Sequence, residues 1–454
     1  MLRIITQQAD VIAELQRICN RTNDEQVFHK EATVKEVLQS VRSQGDKALL
    51  HYTAEFDKQK LTPEELRVSG SELDIAYQKV NSDLLEAIKL ACRRIEAFHR
   101  QRVPKDWVHF GSDEIVLGKR YTPVDSAGLY VPGGRAAYPS TVLMNAIPAR
   151  VAGVERTVMV TPPGGDNGIN PAVLVAAQEA GVKEIYRIGG AQAIAALAYG
   201  TETIPKVNLI TGPGNIYVTL AKKQVYGTVG IDSLAGPSEV LIIADKTANP
   251  VEVATDLLAQ AEHDPMAAAI LLTNDTVLAK NVQVAVERQL VDHPRRTLTE
   301  KAIAHYGLIV VVESLQAAAE FSNEFAPEHL ELEIEDPWAL LPKIRHAGAI
   351  FLGHSTPEAV GDYLAGPNHT LPTSGAARYS SALSVETFLK HSSIIQYSHT
   401  ALEKVADAID LLATTEGLPS HADSVKRRVQ KGERQETPSP EENTQSEFRN
   451  QETE

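Results

Sequence analysis

Cysteine is nearly missing from this sequence: Cys19 and Cys92 are the only two among 454 residues. Two thiols cannot build a disulfide framework, and they form no Cys-x-x-Cys pair. That scarcity fits a reducing compartment, so a cytoplasmic protein is expected. Long apolar runs are missing too. No stretch approaches the roughly 18 apolar residues that suggest a membrane span. Residues 1–30 mix charged and polar side chains where a secretory signal would be apolar. Positive charge is in deficit, with 44 Lys and Arg against 59 Asp and Glu, a net charge of −15. Without a long basic stretch, no surface can displace counterions from nucleic-acid phosphates, so no nucleic-acid partner is expected. A small anion needs only a local site. Walker, HExxH and GxSxG sequences are absent as well, which argues against P-loop ATPases, zincins and serine hydrolases.

The rest is an ordinary globular composition, 43% hydrophobic and 23% charged, long enough for about two or three domains. Residues 1–115 read as mostly helical; over 83–101 the apolar positions recur at helical spacing. From about Asp125 short β-branched runs alternate with helical stretches, and glycines mark the joins. TVMVT (157–161), EIYRI (184–188), VNLIT (207–211), EVLIIA (239–244), AAILLT (268–273), LIVVV (308–312) and AIFLG (349–353) read as strands. Helices are expected between them, as over 171–180, 251–261 and 276–290. Such repeats predict an α/β fold with parallel sheets covered by helices, in enough units for two sheets. After Ile394 the pattern is helical again through Leu412. From 425 to 454 only Val425, Val429 and Phe448 are sizeable apolar residues. A disordered tail without catalytic duty is expected there, with a partner-binding tail as the other reading.

Several segments could carry chemistry. Gln260 and His263 are three apart at the end of an expected helix, hence on one face. They suit half a metal site, or simply a polar helix end beside the negative terminus of the dipole. Pro327 stops a helix, and 330–334 alternates like a strand, so Glu328 and His329 sit at a loop-to-strand junction. Together they supply two bases near neutral pH, or merely two solvated side chains on a turn. The segment VGDYLAGPNHTLPT (360–373) reads as a rigid irregular loop exposing Asp362 and His369. Glu416 and His421 flank Gly417–Leu418–Pro419–Ser420, where plain surface residues are equally natural. Gly212–Pro213–Gly214–Asn215 follows a strand and opens a helix, a place where backbone N–H groups meet phosphate. Tyr217, however, occupies the position of the third glycine in a dinucleotide fingerprint.

Taken in order, these segments resemble the histidinol dehydrogenase family. The matching stretches are DSAGLYVPGG (125–134), GGAQAIAALAYGT (189–201), TGPGNIYV (211–218), AGPSEV (235–240), LLAQAEHDP (257–265), FAPEHLEL (325–332) and GDYLAGPNHTLPTSGAAR (361–378). They span nearly the whole chain apart from its tail. The resemblance implies a cytoplasmic homodimer with shared active sites, acting on L-histidinol. It implies oxidation of this amino alcohol to L-histidine in two NAD-dependent steps through a bound aldehyde, the last step of histidine biosynthesis. Gln260, His263, Asp362 and, from the other subunit, His421 are implied zinc ligands. Ser238, Gln260, His263, His329, Asp362, His369, Glu416 and His421 form the implied substrate-facing set. Tyr130, Gln192 and Asn215 are the implied NAD contacts, with Glu328 and His329 as the proton-transfer pair. Two Rossmann-like parallel-sheet domains are expected: 26–129 with 238–385, carrying the metal and catalytic residues, and 130–237 for NAD. Helical segments are expected at 1–25 and 386–424, with the tail at 425–454.

That assignment makes chemical sense. Histidinol's imidazole and amine are good zinc ligands, and a zinc with two nitrogen and two oxygen protein donors can accept them. His329 is expected to take the alcohol proton as hydride leaves, and Glu328 to activate water on the aldehyde. A thiol trap for the aldehyde is not expected, because both cysteines are remote in sequence from every motif. Two rival readings stay open. One is a related zinc- and NAD-dependent dehydrogenase of another small amino alcohol or diol. The other is a non-catalytic zinc- or nucleotide-binding protein, for which loss of Glu328 or His329 would be the mark.

Overall fold

A computed structural model describes residues 2–6, 8–21, 26–133, 137–164 and 168–430. The expectation for the tail from 431 onward lies outside these residues. The chain divides into two compact units: Met1–Pro104 with Thr122–Lys390, and Lys105–Tyr121 with His391–Glu454.

The first unit holds two parallel sheets, with strands numbered in chain order. The five-stranded sheet consists of β4 (Ser126–Tyr130), β5 (Arg156–Thr161), β6 (Glu184–Arg187), β7 (Leu209–Thr211) and β8 (Gly230–Ile231), in the order β6-β5-β4-β7-β8. The six-stranded sheet consists of β1 (Arg3–Ile5), β9 (Glu239–Ala244), β10 (Ala268–Thr273), β11 (Gly307–Val311), β12 (His329–Glu333) and β13 (Ala349–Leu352), in the order β1-β11-β10-β9-β12-β13. From β4 in one sheet and from β9 in the other, the chain winds one way and then returns to the far side of that strand, while β1 adds separately to the edge at β11. The direction therefore reverses between β4 and β7 in one sheet and between β9 and β12 in the other.

Strands buried on both faces need unbroken apolar runs, and EVLIIA and AAILLT are buried at every position. Alternate side chains serve opposite faces. Leu129, Met159 and Ile185 pack with residues of the helices Pro139–Ala152 and Pro171–Ala180. Tyr130, Val158 and Val160 pack with those of Gln26–Gln44 and Gly190–Tyr199. In the other sheet Val240, Ile242 and Leu271 meet the helices Pro250–Ala261 and Thr276–Val291. Leu241, Ile243 and Leu330 meet Gln8–Cys19 and Leu315–Phe325.

The second unit is built around β2 (Trp107–Phe110), β3 (Val116–Pro123) and β14 (Leu389–Gln396), with β3 in the middle. It also holds the helices His399–Thr415 and Pro419–Val429. Ser398 caps the first helix by accepting from the Ala401 N–H, and its hydroxyl donates to the Asp113 carbonyl at 2.6 Å.

Four expectations change. The 1–25 segment is not wholly helical, because Arg3–Ile5 adds a parallel edge strand to β11. The 386–424 segment contains β14, so its helices begin only at His399. The last helix runs on to Val429, past the boundary expected at 425. The boundary drawn at 129/130 cuts through β4, whose residues all belong to the five-stranded sheet, and the helices Gln26–Gln44 and Ser82–Arg100 also pack on that sheet and not on the other one. Among the described residues, no helix is long and apolar enough to cross a membrane.

Candidate active site

In a βαβ unit the helix runs antiparallel to the strands, so helix C-termini return to the edge where strands begin. At that edge of the six-stranded sheet, β9 begins at Glu239 and β12 at His329, on either side of the reversal point. The helix Pro250–Ala261 ends there with Gln260, and His263 follows one residue past its cap. The helix Leu315–Phe325 ends in Ala326, whose left-handed backbone (φ 53°) turns the chain one residue before Pro327. Glu358 and Asp362 lie four apart on the helix Glu358–Tyr363, hence on one side, so Asp362 stands half-buried on a helix and not exposed on the irregular loop expected from 360.

These elements bring five expected residues together. Ligand atoms of His263, Glu358 and Asp362 all lie within 4.8 Å of one another. His329 Nε2 is 3.9 Å from Asp362 Oδ1, and its Nδ1 is 3.7 Å from Glu328 Oε2. With its amide oriented to suit, Gln260 donates to both Glu358 oxygens at 2.8 and 2.9 Å. Its carbonyl oxygen is then the atom available to a metal.

The two loop and strand histidines differ in a telling way. His329 Nδ1 lies 3.1 Å from the Glu239 carbonyl. A carbonyl only accepts, so Nδ1 carries the proton and Nε2 keeps its lone pair. Nε2 is buried and has no hydrogen-bond partner among the described residues. Burial lowers the His329 pKa to about 3, so the ring is a neutral base. His369 has both nitrogens engaged, Nδ1 with the Asp362 carbonyl at 3.1 Å and Nε2 with Thr141 Oγ1 at 3.4 Å. It ties the 361–378 loop to the helix Pro139–Ala152.

Burial dominates the carboxyls. It pushes Asp362 up to about 6. Glu328 is held well above the usual carboxylate range by burial and by the neighbouring Glu239, although the Glu239 N–H donates to its Oε2 at 2.9 Å. His263 stands at the exposed rim, with enough protein around its ring to lower its pKa. Ser238 is half-buried just before β9. Two nitrogen- and oxygen-bearing ligand types, an unpartnered imidazole nitrogen and two helix C-termini make this edge suited to a cation such as zinc.

The opposite edge serves the five-stranded sheet. Tyr130 ends β4, and its hydroxyl accepts from the Gly190 N–H at 3.1 Å. Gln192 lies in the first turn of the helix Gly190–Tyr199; its Nε2 donates to Asp57 Oδ2 at 3.3 Å, and its Oε1 is buried without a partner among the described residues. Asn215 caps the helix Ile216–Val225 by accepting from the Tyr217 and Val218 N–H groups. Gly212 must be glycine: its φ is +110°, and a Cβ would lie 2.1 Å from the Tyr130 carbonyl oxygen. Tyr130 and the 212–215 turn thus flank the β4/β7 reversal at the carboxyl edge, where doubly wound sheets bind dinucleotides. Helix N-termini there favour a pyrophosphate, and the unpartnered Gln192 oxygen fits a ligand donor.

Glu416 and His421 belong to the second unit, where both are exposed. Burial raises both thiols, Cys92 to about 11, so neither is an activated nucleophile. Sequence reasoning missed Glu358, Glu239, Arg21 and Asp57. It also missed a second cluster, Asp256, Glu331 and Glu333, whose oxygens lie within 4.8 Å. Burial and the neighbouring Asp256 push Glu333 up to about 8, and burial pushes Asp256 up to about 6; the Glu358 N–H donates to Glu331 at 2.7 Å. The alternation HLELE was the one available signal, since it sends His329, Glu331 and Glu333 to the same face.

Fold and site together define an oxidoreductase that works with a dinucleotide and a metal. A family model described as histidinol dehydrogenase matches residues 20–429, and the chain belongs to that family. It is 84% identical over 433 residues to histidinol dehydrogenase 2 of Trichormus variabilis, covering 95% of this chain and all of the relative. It is 73% identical to the histidinol dehydrogenase of Thermosynechococcus vestitus, again over 95% of this chain and all of that one. The crystal structure of the Elizabethkingia anophelis histidinol dehydrogenase superposes with a TM-score of 0.88 at 39% identity, covering 94% of this chain and 97% of that one. The family consists of NAD-dependent dehydrogenases that use zinc and catalyse the last step of histidine biosynthesis.

Proposed function

We infer that the chain oxidises L-histidinol to L-histidine through L-histidinaldehyde, with two NAD reduced, and that Glu328 and His329 move the protons. The observation that carries this reading is the buried His329 Nε2, unpartnered and 3.9 Å from Asp362. Gln260, His263 and Asp362, with His421 of the partner subunit, hold zinc, which when bound supplies a Lewis acid that fixes the substrate's imidazole and amine. Tyr130, Gln192 and Asn215 hold NAD, which when bound accepts hydride once in each oxidation.

The chain's own residues do the rest. His329 is neutral and fixed as the Nδ1–H tautomer, so Nε2 takes the alcohol proton. Glu328, a carboxyl whose burial makes it a strong base once deprotonated, takes a proton from the water that hydrates the aldehyde. Ser238, His369 and the partner subunit's Glu416 complete the substrate-facing set.

A homodimer in the cytoplasm is part of this reading. Phe110, Ile395 and Leu411 of the second unit are 76%, 70% and 70% exposed, apolar surface that a second copy would cover.

The test counts NADH by absorbance. Two NADH per histidinol, abolished by chelation and restored by zinc, are expected. A single NADH, or faster turnover of another amino alcohol or a diol, would overturn the assignment.

A further inference from the structure

We propose that Glu239, clamped by Arg21, is the positioning residue that aims both members of the proton-transfer pair; this rests on the roles given to Glu328 and His329 above. One residue meets both side chains through its backbone. The Glu239 N–H donates to Glu328 Oε2 at 2.9 Å, and its carbonyl accepts from His329 Nδ1 at 3.1 Å. The first contact fixes the carboxyl, and the second fixes the imidazole tautomer that leaves Nε2 as the base. Pairing of β9 with β12 starts one residue later, at His329 and Val240, so the Glu239 peptide stands at the rim of the ladder. From one side β10 holds it, with Glu239 in register with Ala268; toward β12 the hold comes from elsewhere.

The Glu239 side chain supplies that hold. Its Oε1 accepts from Arg21 at 2.9 Å and from the Ser374 N–H at 3.1 Å. Arg21 and Glu239 are 1% and 0% exposed at their side chains. The same guanidinium donates to the carbonyls of Ile18, Met266 and Pro237 at 2.8, 2.7 and 2.8 Å. It therefore ties the end of the first helix, the turn after His263 and the segment leading into β9 to a single point. A buried ion pair is weak support for stability, but it can fix one geometry among several. Here the geometry is that of the peptide between two reacting side chains.

Acting through both partners makes the consequence distinctive. Glu328→Gln should slow mainly the aldehyde step. Displacing the Glu239 peptide should slow both steps, because both side chains lose their aim.

The test compares Arg21→Met, Glu239→Gln and the double variant in the full-length, zinc-loaded enzyme. We expect each single variant to lower kcat on histidinol and histidinaldehyde alike by about 10–100-fold, the scale of a small misplacement of a reacting group. KM for histidinol and zinc content should change little, and the double variant should be no worse than the poorer single. Nitrogen-15 NMR of the His329 ring should show loss of the pure Nδ1–H tautomer. A lower thermal midpoint with unchanged kcat and an unchanged tautomer would overturn the proposal. The tautomer readout needs no substrate, so it still decides the matter if Glu328→Gln and His329→Gln show the roles of the pair to be misassigned.

Discussion

In the five-stranded sheet the residues proposed for NAD stand where strands end and helices begin. In the six-stranded sheet the residues proposed for the metal and for proton transfer stand where helices end and strands begin. The two sheets are wound alike apart from the edge strand β1, one reversing direction beside β4 and the other beside β9. What differs is the sign of the local field. Helix N-termini at the carboxyl edge, those of Gly190–Tyr199 and Ile216–Val225, favour a pyrophosphate. Helix C-termini at the amino edge, those of Pro250–Ala261 and Leu315–Phe325, favour a cation. One topology thus offers two kinds of site, and the proposed reading has the chain use one of each.

Breaking the amino edge should cost most. Chelation should remove all turnover on both histidinol and histidinaldehyde, and added zinc should restore it; activity that survives metal-free dialysis would break the cation reading of that edge. Within the same edge, His329→Gln should lower kcat for histidinol by roughly 10²–10⁴-fold, the range for loss of a positioned base. Glu328→Gln should slow aldehyde oxidation more than alcohol oxidation in single-turnover kinetics, and equal losses would contradict the division of labour. At the carboxyl edge, Gly212→Ala should cost about 1–3 kcal/mol of stability from backbone strain and raise KM for NAD while zinc content is unchanged. The smallest effect belongs to the thiols, one beside each sheet. A double Cys19→Ser, Cys92→Ser variant should keep both half-reactions within about twofold, because burial keeps the thiols protonated.

The central strands were legible because their residues are apolar without a break: 239–244 and 268–273 match β9 and β10 residue for residue. Strands that exist by pairing alone were not. Arg3–Ile5 is a strand because β11 offers an edge, and Leu389–Gln396, mostly exposed, lacks the continuous apolar run of the interior. The same division holds at the site. Gln260, His263, Glu328, His329, Asp362 and His369 sit in short distinctive segments, so they could be singled out. Glu239 reads as an ordinary strand position, and Glu358 lies outside every segment singled out. Their partners lie 218 residues away at Arg21 and 27 residues away at Glu331, a proximity that only the fold creates.

The most direct test of the two-edge account measures zinc content and NADH affinity side by side in His263→Ala and Gln192→Ala. His263→Ala should lose zinc by about 10–100-fold in affinity and keep its NADH Kd within about twofold. Gln192→Ala should keep its zinc and weaken NADH by about tenfold, the scale of one good hydrogen bond. If either substitution moves both quantities together, the two edges are not separate sites and the account fails.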